Sequence, residues 1–283
     1  MSFCGDYNFR NKVINGLYGC LPPQLLSVIN WHYDEMRKNT CLPHQYLPQP
    51  NPPISGVRVL TNTKDTLLEV NSSLFTGVNS LKPFWNSPNV GHDLPTWMDE
   101  PLGIKPSRRI STPVDVFDFK RKKIMIISQD PLRKGKPHNN MYLSSVFGMH
   151  SISWRGNRTT TQIFNRLVGQ EDCCVYLTDY NKLYVNGSNI SHLSSVFKNM
   201  LDVEIRLFNP DKIVTLGKAA SSALLGASFN LFPNLPTPYS YTPSGGNPIP
   251  VVPLYHTNYR MTSSFYMGKG YKSKVDLYVD YMR

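Results

Sequence analysis

The apolar residues follow two different rhythms along the chain. From about Ser111 onward, short unbroken apolar runs alternate with stretches in which apolar residues recur every three or four positions. Lys122 to Ser128 (KKIMIIS) carries a continuous run from Ile124 to Ile127, as expected for a strand buried on both faces of a parallel sheet. Cys173 to Thr178 (CCVYLT), Lys212 to Leu216 (KIVTL) and Ile249 to Tyr255 (IPVVPLY) read the same way. Between them, Thr160 to Val168 and Leu193 to Phe208 show helical spacing, the latter stopped by Asn209-Pro210. Lys218 to Leu225 is a third helix, and Gly217 ahead of it supplies a tight strand-to-helix turn. This alternation predicts a three-layer α/β/α fold around a central, mostly parallel four-stranded sheet.

The first hundred or so residues lack this rhythm. Leu25 to Arg37 (LLSVINWHYDEMR) predicts a helix, with Pro22-Pro23 ahead of its first turn. Beyond it, 43-PHQYLPQPNPP-53 and 83-PFWNSPNVGHDLP-95 are too rich in proline for regular structure, because proline donates no backbone hydrogen bond and restricts its predecessor. The chain therefore divides into a Pro- and aromatic-rich extension, residues 1–110, packed on the core, and a second domain, residues 111–283. No catalytic motif is legible in the extension.

Charge narrows the partners. The 283 residues include 30 Lys+Arg against 19 Asp+Glu, a net charge of +11. Such an excess favours a polyanion, either nucleic acid or an anionic membrane face. No run approaches the ~20 apolar residues of a membrane span, and MSFCGDYNFRNK lacks the apolar core of a secretory signal, so a soluble cytoplasmic protein is expected. Cys4, Cys20, Cys41, Cys173 and Cys174 show no Cys-x-x-Cys spacing and are read as free thiols, neither a disulfide framework nor a metal site. Gly217-Lys218 lacks the upstream glycine of a phosphate-binding loop, and the His-x-Glu and Pro-Cys-x-x-Cys signatures of a zinc deaminase are missing. A monomer without metal or cofactor is expected.

In parallel sheets ligands bind at the carboxyl ends of strands. Polar clusters follow three of the predicted strands: Gln129-Asp130-Pro131, Thr178-Asp179-Tyr180-Asn181 and His256-Thr257-Asn258. Each has a plainer reading, since Asp-Pro ends strands, Asp179 can cap the next segment and a lone histidine is commonly structural. Their order and spacing carry the functional one. Taken together they resemble the uracil-DNA glycosylase superfamily from Lys122 to Gly268. Gln129-Asp130-Pro131 is similar to that family's Gly-Gln-Asp-Pro-Tyr-His loop, with Ser128 for Gly and Leu132 for Tyr. The stretch 138-HNNMY-142 parallels His-Gly-Leu-Cys-Phe, 176-YLTDYNK-182 parallels Tyr-Ile-Thr-Asn-Val-Val-Lys, and 256-HTNYRMTSSFYMG-268 parallels His-Pro-Ser-Pro-Leu-Ser-Val-Tyr-Arg-Gly-Phe-Phe-Gly.

The resemblance implies a monofunctional DNA glycosylase that extrudes a pyrimidine nucleotide and hydrolyses its glycosidic bond, leaving an abasic site. Asp130 would orient water and stabilise the sugar cation, and His256 would donate to the pyrimidine O2 as the base leaves. Gln129, Leu132, Tyr142, Asp179 and Asn181 would line the base pocket, with Tyr142 stacking on the base. Arg133, Lys134, Lys136 and Lys269 would hold phosphates, joined by Lys272 and Lys274, and Arg260 or Met261 would fill the vacated stack.

Two departures bear on the substrate. Leu132 replaces a tyrosine that excludes a C5 methyl group, which opens space beside C5. Asp179 replaces an asparagine matched to uracil, and a carboxylate accepts from the exocyclic amino group of cytosine. Cytosine N3 is an acceptor, so the second carboxyl oxygen must carry a proton, a form that a closed pocket favours. Together these point to a 5-modified cytosine, hydroxymethylated or glucosylated, as in some phage DNA, and to the antiphage members of the family. A shift of two residues puts Asn181 in the reading position and restores uracil, the substrate of repair enzymes. A catalytically inert nucleic-acid-binding module is the rival from another class.

Overall fold

The structure is a computed structural model that describes residues 3–4, 12, 15–16, 22–28, 30–31, 49–61, 66–71, 74, 103–104, 122–129, 140–143, 158–169, 173–181 and 194–283. Its strands, in chain order, are β1 (Phe3–Cys4), β2 (Val57–Thr61), β3 (Thr66–Asn71), β4 (Gly103–Ile104), β5 (Lys122–Ser128), β6 (Asn140–Leu143), β7 (Cys173–Asp179), β8 (Lys212–Leu216), β9 (Ser240–Tyr241) and β10 (Ile249–Leu254). Among the described residues, helices α1 (Arg158–Gly169), α2 (Ser194–Phe208), α3 (Lys218–Leu225), α4 (Ser263–Gly268) and α5 (Lys274–Met282) accompany the strands.

The central sheet has the order β7-β5-β8-β10-β9. Its first four strands are parallel and are the four read from the sequence. The expected four-stranded sheet is corrected to five, because Ser240 and Tyr241 add a short antiparallel edge strand on β10. Two residues in a proline-rich stretch carry no periodicity, so this strand left no signal. β9 pairs only with Ile249 and Pro250, so from Val251 onward β10 borders no further strand on that side among the described residues, where Pro253 is tolerated.

Alternate residues of each strand face opposite sides. Met125 and Ile127 belong to one buried cluster with Tyr176, Phe197, Leu201, Ile205 and Phe208, so α2 covers that face. Ile124 and Ile126 belong to the other, with Ile163, Leu167, Leu277 and Tyr278, so α1 and α5 cover the second face. Within the first cluster Glu204 of α2 is wholly buried and accepts hydrogen bonds from Tyr176 Oη at 2.8 Å and Thr178 Oγ1 at 3.0 Å. Burial of a carboxyl is tolerable only with such donors.

Residues 23–28 and 30–31 are helical, so the helix begins two residues ahead of the expected Leu25. Leu25, Val28 and Val59 join the cluster on the α2 face. A second, three-stranded sheet has the order β2-β3-β6, with Glu69 opposite Tyr142. It crosses the expected 110/111 division, taking two strands from before it and β6 from after it.

At the far end of the sheet, Lys212 Nζ at the start of β8 donates to the backbone carbonyls of Tyr281, at 3.5 Å, and Arg283, tying down the end of α5. Burial lowers this lysine's pKa to about 8. At the opposite end, Gly217 turns β8 into α3 with φ +91° and ψ 162°, a region essentially reserved for glycine. Its N–H donates to the Leu254 carbonyl at 2.7 Å, which joins the ends of β8 and β10. A Cβ added here would meet no atom within 4 Å, so the cost of Gly217→Ala is conformational alone. The substitution is expected to lower stability by about 1–3 kcal/mol, read as a lower urea midpoint with an unchanged slope.

Candidate active site

The parallel register brings the strand ends together. Ser128 lies opposite Asp179, and Leu216 lies opposite Leu254. The backbone ladder runs on past the strands, with Tyr180 N–H donating to Ser128 O and Asn181 N–H to Gln129 O, each at 2.9 Å. Gln129 and Asn181 are thereby set side by side. Gln129 is exposed, whereas Asp179 and Asn181 are buried, at 3% and 6% relative exposure. Among the described residues, the Oδ1 of Asn181 is a buried acceptor with no hydrogen-bond donor. An unsatisfied buried acceptor costs about 1–3 kcal/mol, a cost that a ligand N–H would relieve. Asp130, Leu132, Arg133, Lys134 and Lys136 lie outside the described residues, and Tyr142 is placed by its backbone on β6.

His256 follows β10 by two residues and is held in a tight turn, with Tyr259 N–H donating to its carbonyl at 2.8 Å. The Asn258 N–H donates to its Nδ1 at 3.2 Å. Nδ1 must therefore carry a lone pair, and in a neutral ring the proton sits on Nε2. Burial of the half-buried ring, and secondly the positive charge of Lys274, lower its pKa from the ordinary 6.5. Both effects favour the neutral tautomer that the Asn258 contact selects. A neutral imidazole with Nε2–H is a hydrogen-bond donor that needs no proton from solvent.

Lys274, expected to hold a phosphate, turns inward instead. Its Nζ donates to the carbonyls of Thr257 at 2.6 Å and Tyr259 at 2.7 Å, clamping the turn that carries His256. The local cause is the N-cap of α5. Ser273 Oγ accepts from Asp276 N–H at 3.1 Å and donates to the Asp276 carboxylate at 2.7 Å, so Lys274 becomes the first helical residue. A cation at a helix N-terminus is disfavoured by the helix dipole, and half-burial lowers its pKa further. The two carbonyls compensate for both. The turn is also fixed by Tyr278 Oη, which donates to the Tyr255 carbonyl at 2.9 Å, and by Thr160 Oγ1 of α1, which donates to Thr257 Oγ1 at 2.7 Å. Asp276 in turn pairs with Arg166 of α1.

Arg260 is exposed next to this turn. Met261 is half-buried and packs against the α1/α5-side cluster together with Phe265 and Tyr266. Lys269 is exposed, its Nζ 5.8 Å from the ring centroids of both Phe265 and Tyr281. Tyr278 and Thr160 carry no sequence signal as parts of the site, and Lys274 is expected there only as a phosphate contact, not as the clamp of the His256 turn. The Ser-x-x-Asp spacing of 273-SKVD-276 was a readable capping signal that would have drawn attention to Lys274. Among the described residues no group of three or more His, Cys, Asp or Glu could hold a metal ion, and no helix is long and apolar enough to cross a membrane.

Folding favours the neutral His256 ring, so this residue costs no stability above its ordinary pKa of 6.5 and an increasing amount as pH falls below it. Lys274→Met is expected to raise the His256 pKa towards 6.5, seen in its imidazole proton shifts by NMR titration. The same variant should lose less stability than the parent between pH 7.5 and 5, measured by urea unfolding.

A search of curated proteins found no match. The family model described as the Uracil DNA glycosylase superfamily matches residues 114–279, more than half of the chain. The match spans the parallel strands, the Gln129 and Asn181 strand ends and the His256 turn. The chain belongs to the uracil-DNA glycosylase superfamily.

Proposed function

We propose that the chain is a monofunctional DNA glycosylase that removes an extruded pyrimidine. The observation that carries this reading is the His256 tautomer: a neutral ring at a strand end, its Nδ1 occupied by the Asn258 N–H and its proton on Nε2. In this reading water adds to C1′ of the sugar as the bond from C1′ to the base breaks. Asp130 orients that water and offsets the positive charge on the sugar, and Nε2–H of His256 stabilises the anion developing at O2 of the departing base. No amine attacks the sugar, so the product is an abasic site in an uncut strand. The extrusion frees the base from the stack, Arg133, Lys134, Lys136 and Lys269 hold the flanking backbone, and Arg260 or Met261 fills the vacated space.

The base is a 5-modified cytosine in this proposal, with hydroxymethyl or glucosylated forms as the test substrates. What supports it is the buried carboxyl of Asp179 in line with Ser128, at the strand end that precedes Asp130. A carboxyl there accepts from the cytosine amino group, and Leu132 leaves room at C5. Such a substrate implies a role in defence against phages whose DNA carries it. A second reading is uracil, favoured by Asn181: its unsatisfied Oδ1 can accept from the uracil N3–H while its amide NH2 donates to O4.

Mass spectrometry of the bases released from a panel of DNAs containing uracil, cytosine, hydroxymethylcytosine and glucosylated hydroxymethylcytosine tests the proposal. Release of modified cytosine is expected, and release of uracil alone would establish the second reading. Asp130→Asn should abolish turnover while DNA affinity, by anisotropy, is retained; an inert binding module would show no turnover to lose. His256→Leu should lower the single-turnover rate by about 100- to 1,000-fold, the usual effect of removing one preorganised donor.

A further inference from the structure

We infer that Tyr259 is a preformed stacking platform for the nucleobase that neighbours the extruded nucleotide. The Tyr259 ring lies parallel to that of Tyr255, with centroids 4.4 Å apart and planes 12° apart, yet Tyr259 remains 51% exposed. One face is covered by Tyr255, so the exposed area includes the other. Tyr255 is itself anchored inward, tilted against Phe232 at 5.9 Å and edge-on to Phe265 at 6.2 Å. Phe232 is buried among Tyr278 and Tyr281, so a continuous series of rings runs from the α5 side of the core to the surface.

The backbone of Tyr259 is as constrained as its ring. Its N–H is held by the His256 carbonyl and its carbonyl by Lys274, so the platform and His256 share one turn. Ordering an aromatic side chain on binding normally costs free energy, and here the neighbouring ring has already ordered it. A flat π-face suits any base, since stacking requires no particular edge pattern. The surroundings suit nucleic acid in the same way: Arg260, Lys269 and Lys272 are all exposed nearby in the chain, in a protein of net charge +11. Stacking on the neighbouring base is a separate task from filling the vacated space, which the family resemblance gives to Arg260 or Met261. Met261 is half-buried in the neighbouring cluster, which leaves the tyrosine as the aromatic face presented beside His256.

The inference rests on the reading that DNA binds with a nucleotide extruded at His256, and its test is chosen to be separable from turnover. The probe is a duplex holding a tetrahydrofuran abasic analogue, which cannot be cleaved at a glycosidic bond, with 2-aminopurine on either side of it in separate duplexes. The full-length protein is expected to quench one of the two probes by stacking. Tyr259→Phe should keep both quenching and affinity, and Tyr259→Leu should lose the quenching and bind roughly 5- to 100-fold more weakly, with thermal unfolding unchanged. Equal quenching and affinity in Tyr259→Leu would overturn the inference, as would no quenching of either probe by the parent protein. Equal losses in the Phe and Leu variants would do the same, because they would tie the effect to the hydroxyl or the fold. Quenching through Tyr259 by a protein that releases no base from any DNA would leave the platform standing and sink the glycosylase reading.

Discussion

All strands of a parallel sheet run out at the same edge, and the placement of the chemistry depends on that. Both faces of this sheet are sealed by apolar clusters, so polar side chains emerge together where β5, β7 and β10 stop. Residues far apart in sequence, Gln129, Asn181 and His256, are brought to that edge by the strands that precede them. The ladder continuing from Ser128 and Gln129 to Tyr180 and Asn181 extends this order two residues past the strands. A slip of one residue in β5 against β7 would reverse which side chains face the clusters and dismantle the edge at once.

The His256 turn adds a second layer of control, in which electrostatics and geometry agree. Burial disfavours a charged imidazole, Lys274 repels its proton and the Asn258 N–H occupies Nδ1. Each of these acts alone in the same direction. The lysine accomplishes this from an unfavourable place, a half-buried helix N-terminus, because two carbonyls of the turn receive its protons. Its charge and its hydrogen bonds therefore do separate things: the first sets the ring's protonation, the second its position.

How far the sequence reveals this depends on the kind of signal each residue leaves. β5 and β8 match their expected limits because a strand buried on both faces is apolar almost throughout, and Lys122, Ser128 and Lys212 mark the changes. α1 extends past the expected Thr160 to Val168 at both ends, since helix termini are polar and leave the periodicity unaltered. β9 and β6 went unread because two or four residues cannot establish a period. At the site, the strand ends were legible through their polar clusters, but the roles of the lysines were not. Lys269, Lys272 and Lys274 look alike in 268-GKGYKSK-274, and only the N-cap at Ser273 turns one of them inward. The unsatisfied Oδ1 of Asn181 was beyond reach as well, since satisfaction is a property of neighbours and not of residue type.

Helix α5 is fastened at both ends, through Lys274 to the turn beyond β10 and through Lys212 to the first residue of β8. Mechanically it is a strut running from one rim of the sheet to the other, about 1.5 Å per residue along its axis. Displacing the histidine turn means breaking two hydrogen bonds to a charged donor, each worth about 1.5–3 kcal/mol, or dragging the strut with it. That stiffness makes the turn a poor hinge. When a curved, compliant polymer meets it, the accommodation falls to the polymer or to other segments, and the strand-end edge keeps its shape.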